Sequence, residues 1–434
     1  MTPETALTEP LSAGAATDES PAALADELDV YLDRHVVAPR FPAAIDAEGW
    51  GFRARFDERW QPLPETSRFL VYQARLAWTA AHLLERRPAS TELLAPAARH
   101  GLATLERMWD GEAGGFFHRL RTSGRPEPAS AEKHLYSQAF ALLALAALAR
   151  APGDDADRAR ALELARRSFA WIEGALRGDA RAGYRGTVAR DGSPLAFDPD
   201  AVAPPANAFG GPAGWHDANS HLHLVEAYTE LERSAPRPES AAALARLVDL
   251  FLDRFYAEPG CLHLHLDAEL RPVPGIVSYG HDIEAAWLLY DAALVLGRER
   301  DAELRRKVRR LAEHALAFGW DPHLEVWTER GSALARSADL TCGWWVAFEA
   351  LHTLVGFAEL FPERRRPFER AARDTWSFIR RRLTDTEAPG IWAGYDARGH
   401  LKREKSGDWF ATYHAARSLA GSADRLRRIS AAPR

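Results

Sequence analysis

KHLYSQAFALLALAAL (133–148) is followed, after a short break, by ADRARALELARRSFAWIEGAL (156–176), and the contrast between the two decides the fold. The first stretch is apolar around almost its whole circumference, the mark of a buried helix. The second is amphipathic, with a charged face suited to solvent. The same contrast repeats outward in both directions. Buried helices carrying Trp, Tyr, His, Asn and Arg toward their N-terminal halves are predicted over 66–86, 131–150, 218–233, 280–296, 340–360 and 408–426. Simple amphipathic helices are predicted between them, over 20–37, 91–109, 156–176, 238–256, 300–318 and 364–382. Six buried helices alternating with six surface helices predict an all-α (α/α)6 barrel, an inner ring closed on itself and covered by an outer ring. One end of that barrel would hold the polar residues.

The connectors are rich in Gly, Pro and aromatic residues: 111–128, 182–197, 260–280, 319–331 and 390–407. Alternation of Leu262, Leu264 and Leu266, and the Asp191–Gly192 pair, predict short β-hairpins in these loops, placed at the barrel mouth beside the polar cluster. His263 and His265 alternate as in a strand and could both face the mouth, or form a plain polar hairpin face.

Composition narrows the function. The chain has 434 residues, a formal net charge of −6 and arginines interleaved with acids, so nucleic acid is not an expected partner. No apolar run reaches the length of a membrane span, and the two cysteines, Cys261 and Cys342, argue against a disulfide framework or cysteine-based zinc sites. A cytoplasmic protein, monomeric or weakly dimeric, is expected. Residues 1–19, rich in Thr, Ala, Ser, Glu and Pro, lack the pattern of a secretory signal and are expected to be a disordered tail ahead of one barrel domain over 20–434.

In SYGHDIEAAWLL (278–289), His281 and Glu284 share one helical face. A histidine at a helix start is often a cap or a packing residue, but a glutamate beside it inside a buried helix favours chemistry. In NSHLHLVEAY (219–228), Asn219 and His223 share a face while His221 points elsewhere. No third ligand at a recognisable spacing and no HExxH motif support a zinc site there. DWFATYHAARSL (408–419) places His414 in a buried helix with Trp409 near its entry, and Trp344, Trp345 and Trp409 are candidate platforms for a sugar ring. Arg75 would be a cation facing the interior, either structurally paired or serving an anionic reaction state.

The ordered motifs QAR (73–75), GGFFHRL (114–120), KHLYSQAFAL (133–142), NSHLHLVEAY, SYGHDIEAAWLL, the Trp344–Trp345 pair with Glu349, and WFATYH (409–414) together resemble the N-acylglucosamine 2-epimerase family, most of all its cellobiose and mannose 2-epimerase branch. The resemblance spans about 25 to 425 and implies an (α/α)6 barrel isomerase acting on a small sugar, with no cofactor or metal. It further implies His281 and His414 as acid/base groups assisted by Glu284 and His223. Arg75 and Asn219 would hold sugar oxygens, Trp345 and Trp409 would form the platform, and Tyr136, Trp344 and Glu349 would make further substrate contacts. Val346-Ala347-Phe348 and Ala411-Thr412 depart from the branch's Pro-Gln-Ala and Gly-Pro, which bears on substrate choice. With an ordinary pKa near 6.5, one histidine could act as neutral base and the other as cationic acid, taking a proton from C2 and returning one to the opposite face through an enediolate. Three other readings stay open: aldose–ketose isomerisation at the same site, inverting glycoside hydrolysis by carboxylates such as Glu284, Glu349 and Asp408, and sugar binding without catalysis.

Overall fold

The computed structural model describes residues 20–87, 90–178, 183–195 and 214–431. The expected tail over 1–19 lies outside the described residues. Among them are twelve long helices: α1 (Pro21–Tyr31), α2 (Leu70–Arg86), α3 (Thr91–Met108), α4 (Leu135–Arg150), α5 (Asp155–Trp171), α6 (Ala218–Ser234), α7 (Pro238–Leu250), α8 (Tyr279–Val295), α9 (Ala302–Gly319), α10 (Trp344–Leu360), α11 (Arg365–Phe378) and α12 (Tyr413–Ala431). The even-numbered helices pack in sequence around a ring that α12 closes against α2, and each odd-numbered helix covers an inner neighbour, with α1 lying on α12. This is the expected (α/α)6 barrel. Every residue of α4 from Leu135 to Leu148 is buried, whereas α9 buries only one stripe, including Leu304, Val308, Leu311 and Ala315. Small residues set the spacing between the rings: a Cβ added at Gly101 of α3 would lie 2.9 Å from the backbone of Ala77 in α2. No described helix is long and apolar enough to cross a membrane.

The hairpins form a belt at one end. Ser67–Phe69 pairs with Arg119–Arg121, Glu132–His134 with Thr187–Ala189, His216–Asp217 with His265–Leu266, Val277–Ser278 with Arg330–Gly331, and Cys342–Gly343 with Gly394–Tyr395, all antiparallel. In each case the strand that enters an inner helix pairs with the connector after the next outer helix. That pairing explains why α2, α4 and α10 begin later than their periodicity predicts: Ser67–Phe69, Glu132–His134 and Cys342–Gly343 are drawn into strands. The last inner helix also starts later than 408 and runs on to Ala431. The Asp191–Gly192 turn is present, with Gly192 at φ 87° and its N–H donating to Ala189 O at 2.9 Å.

A clamp recurs at the fourth residue of four inner helices. Gln73 accepts from Phe52 N at 2.5 Å and donates to Phe52 O at 2.9 Å. Gln138 does the same for Phe116 at 2.8 and 2.9 Å. His221 accepts from Tyr184 N at 2.9 Å, and Asp282 from Leu262 N at 2.9 Å. Each ties the backbone of a connector to an inner helix and satisfies buried polar groups that water cannot reach. The barrel mouth is therefore held rigidly around the helix N-termini.

Candidate active site

Residues from the first turns of the inner helices converge on a cavity of about 240 Å³ inside this belt. Arg75, Tyr136, Asn219, His223, His281, Glu284, Trp344, Trp345, Trp409 and His414 all line it, so ten of the eleven residues predicted for the site come together. Glu349 is the exception. Expected to contact substrate, it sits fully buried behind His414, its Oε1 2.7 Å from His414 Nδ1. Its place on α10, four residues after Trp345, carries it below the cavity wall. Asp408, considered for a hydrolase pair, is held by Arg119 at 2.7 Å. His221 is spent on its backbone clamp, as its helical phase predicted.

The two candidate acid/base histidines flank one indole. The Trp345 ring centroid lies 4.9 Å from that of His281 and 5.7 Å from that of His414. Gly280 makes this packing possible: a Cβ there would run into the Trp345 ring, with Cζ3 at 2.9 Å. Ser278 caps α8 and fixes His281, its hydroxyl 2.7 Å from Nδ1. Because Nδ1 of His281 is engaged by Ser278 and Nδ1 of His414 by Glu349, the remaining ring nitrogen of each is the one left for a ligand.

Behind the cavity stands a charge cluster that sequence reading missed. Arg417 Nη2 is 2.6 Å from both Glu284 Oε1 and Glu349 Oε1, while Nη1 pairs with Glu226 and reaches the Tyr413 hydroxyl at 2.5 Å. Glu226 in turn lies 3.1 Å from His223 Nδ1. Burial, and for Glu284 also repulsion from Glu349, pushes Glu284 and Glu349 up to about 7 each. Burial acts on Glu226 in the same sense, but Arg417, His223 and Tyr413 together bring it down to about 2. Burial, then His223 and Arg330, lower His281 to about 3, and burial with Arg75 and Arg417 holds His414 well below its ordinary value. These surroundings favour the neutral form of both imidazoles and the protonated form of the two carboxylates.

Arg75 is buried with no carboxylate within ion-pair distance among the described residues. Its guanidinium donates to Tyr136 Oη at 2.7 Å and Trp409 O at 3.1 Å, and lies 4.4 Å from the Phe140 ring centre. Asn219 Oδ1, Glu284 Oε2, Arg75 Nε and Trp344 Nε1 are buried without a hydrogen-bond partner, the signature of a wall built for a polar ligand. Trp409 is 47% exposed at the mouth. Glu284, Glu349 and His414 also bring donor atoms within 4.8 Å of one another, a spacing that could hold a metal ion. Arg417 already supplies a positive charge between the two carboxylates, so the donor set does not fit a cation well. Glu329, from the 319–331 connector, lines the cavity as well and was not foreseen.

Residues 51–418 match the sequence model of N-acylglucosamine 2-epimerase (GlcNAc 2-epimerase). Over 413 residues the chain is 31% identical to a cellobiose 2-epimerase of Bacteroides fragilis, covering 91% of this chain and 97% of that one. It is also 32% identical over 359 residues to a mannose-6-phosphate isomerase of Rhizobium meliloti, covering 80% and 83%. The structure of cellobiose 2-epimerase from Spirochaeta thermophila superposes with a TM-score of 0.79 at 27% identity, covering 94% of this chain and 97% of the other. An α-mannanase of Bacteroides thetaiotaomicron shares the fold alone, at TM-score 0.57 and 12% identity.

Proposed function

Since the chain belongs to the N-acylglucosamine 2-epimerase family and is an enzyme of the isomerase class, we propose that it inverts C2 of a free aldose or of the reducing end of a disaccharide, interconverting glucose and mannose configurations through an enediolate. The observation that carries this reading is the placement of His281 and His414 beside one tryptophan and around one cavity, with the unpaired cation Arg75 in the same wall.

After ring opening, the C2 hydrogen is acidic only because C1 is a carbonyl. His414, neutral and oriented by Glu349, takes that proton and becomes a histidinium paired with a carboxylate. The charge left on the sugar oxygens is an enediolate, and the Arg75 guanidinium stabilises it in a site poor in water. As that charge forms, it favours protonation of His281. Glu284, on the same face of α8 and still carrying a proton near neutral pH, is the group that can load it. His281 then protonates C2 from the opposite side, and the roles exchange in the reverse direction. Trp345 and the half-exposed Trp409 offer apolar faces to the sugar, and the position of Trp409 at the mouth supports a second sugar ring outside the reacting one.

Hydrolysis by paired carboxylates is disfavoured by the same geometry, because Glu349 is withdrawn behind His414 and Asp408 is tied to Arg119. Aldose–ketose isomerisation keeps one supporting observation, the 32% identity to a protein named mannose-6-phosphate isomerase. One experiment separates these outcomes: EDTA-treated protein is incubated with glucose, mannose, cellobiose and N-acetylmannosamine in deuterated water, and the products are followed by NMR. C2 epimers carrying deuterium at C2 are expected. A ketose product moves the assignment to isomerase, and free glucose from cellobiose, or no reaction at all, overturns it.

A further inference from the structure

A second cavity, of about 280 Å³, lies on the opposite side of the Glu226–Arg417 pair from the active site, among the later turns of the inner helices. Arg86, Arg150, Arg233, Arg417, Arg425 and Arg428 line it together with four acids. Each acid is already engaged: Glu226 by Arg417, Glu230 by Arg150 at 2.5 Å, Asp291 by Arg233 at 2.5 Å, and Asp424 by Arg86 at 3.6 Å. Of the other two arginines, Arg428 lies 3.8 Å from Glu359, outside the cavity, and Arg425 is left over. It is only 8% exposed, has no carboxylate within 4 Å among the described residues, and is held by the Trp287 ring, 3.7 Å away, and by the His352 imidazole, 3.3 Å from Nη1. A buried cation without a counter-charge is costly to a fold.

The buried atoms lining this cavity that lack a hydrogen-bond partner are all donors: Trp78 Nε1, His82 Nε2, Arg150 Nε and Arg417 Nε. The indole Nε1 of Trp78 can only donate, and it is buried without a partner. His82 Nδ1 faces Arg86 Nη1 at 3.3 Å, and an arginine has no lone pair to offer, so Nδ1 is the acceptor. The ring proton of neutral His82 therefore sits on Nε2, which is likewise buried without a partner. Trp78 and His82 stack 4.2 Å apart, both on the cavity wall. A cavity whose buried unpaired atoms all donate, and whose unmatched buried charge is positive, suits a ligand that accepts and is negative.

We propose that this cavity binds a phosphate-class oxyanion, with Trp78 Nε1, His82 Nε2 and Arg425 donating to it and Arg428 at its rim. The test is isothermal titration calorimetry of the full chain with inorganic phosphate at low ionic strength. Saturable one-to-one binding is expected, weakened about tenfold or more by Arg425→Met and about threefold by Arg428→Ala. Arg75→Met, which alters only the active site, is expected to leave phosphate binding unchanged. Arg425→Met should melt no lower than the parent in phosphate-free buffer, because it replaces an unpaired buried charge by an apolar chain of similar length. Should that variant not fold, Trp78→Phe and Arg428→Ala carry the decision. Glucose 6-phosphate titrated in the Arg75→Met background distinguishes the sources of the group: tighter binding than phosphate identifies a phosphorylated sugar, and equal or weaker binding identifies the free ion. Absence of saturable binding, loss of binding in Arg75→Met with retention in Arg425→Met, or an unchanged affinity in both Trp78→Phe and Arg428→Ala overturns the proposal.

Discussion

Replacing Glu349 by glutamine separates catalysis from stability more sharply than any other single change. Glu349 is fully buried, and its Oε1 is 2.7 Å from His414 Nδ1. As a carboxylate it accepts the Nδ1 proton and leaves Nε2 as a lone pair for the substrate. A glutamine can present its NH2 instead, which moves the imidazole proton to Nε2 and removes the base. Loss of the productive tautomer in a carboxylate–histidine pair costs roughly 10²–10⁴-fold in kcat. Stability moves the other way. Burial raises Glu349 from 4.5 to about 7, so its contribution to the fold is fully present below pH 4.5 and is lost as pH climbs through 7. At about 1.4 kcal/mol per pH unit the loss is at most about 3–4 kcal/mol. Arg417 keeps Glu226 and Glu284 in the variant, so no cation is stranded. E349Q is thus expected to melt at or above the parent temperature at pH 8, with the difference fading toward pH 5. The assay is C2 deuterium exchange followed by NMR from pH 5 to 9, beside thermal denaturation in the same buffers. The parent should gain activity as pH rises toward about 7, where the Glu284–Glu349 pair comes to hold one proton rather than two, and lose it again above, where Glu284 sheds its own; E349Q should lack the acid limb. A variant within about threefold of the parent kcat, or one that keeps the acid limb, would refute the positioning role.

Four further outcomes are expected. His281→Asn and His414→Asn should each lower kcat by about 10²–10⁴-fold while a sugar still protects the protein against heat, measured by turnover and by ligand-dependent melting. Arg75→Met should lower kcat by about 10²-fold with no loss of melting temperature, since the guanidinium it removes has no buried carboxylate to strand. Gly280→Ala should cost about 1–3 kcal/mol in denaturant unfolding and raise KM, because the added methyl meets the Trp345 ring. Gln138→Leu should cost about 2–4 kcal/mol, by leaving Phe116 N–H and C=O unpaired, yet leave the acid limb of the pH profile where it was.

The ring order was legible because burial leaves a plain trace in composition: a helix surrounded by others has no charged face, and KHLYSQAFALLALAAL has none between Tyr136 and Leu148. The residues that line the cavity could be read for the same reason, since a His, Asn or Arg in such a helix must be satisfied by something. The belt strands were not legible. Glu132–His134 continues the helical pattern in sequence, and only the approach of Thr187–Ala189 pulls it out. Support residues were hidden differently. Arg417 follows His414 by three positions, and Glu226 follows His223 by three, both at the spacing of neighbours on one helical face. Those pairs could have been noticed. What could not be foreseen is that the two pairs, with Glu349 and Glu284, meet around a single guanidinium contributed by the last helix.

In the proposed mechanism that meeting places fixed charges around the proton transfer. Near pH 7 the Glu284–Glu349 pair holds about one proton, Glu226 is ionised and Arg417 is positive. Arg75 then brings the site close to neutrality before any reaction. On the proposed mechanism, moving a proton from C2 to His414 would make one cation and one anion inside this neutral set. The cation forms 2.7 Å from Glu349, and the anion forms on the substrate beside Arg75. Each new charge is born next to an opposite one already fixed in place, so little reorganisation accompanies the step. Removing Arg417 would undo both halves at once, because three buried carboxylates would lose the cation they share beside His414. Arg417→Met is therefore expected to lose activity and lower the melting temperature together, the reverse of the split expected for E349Q. A variant that kept its stability while losing only turnover would show that the cluster serves catalysis and leaves the fold to other contacts.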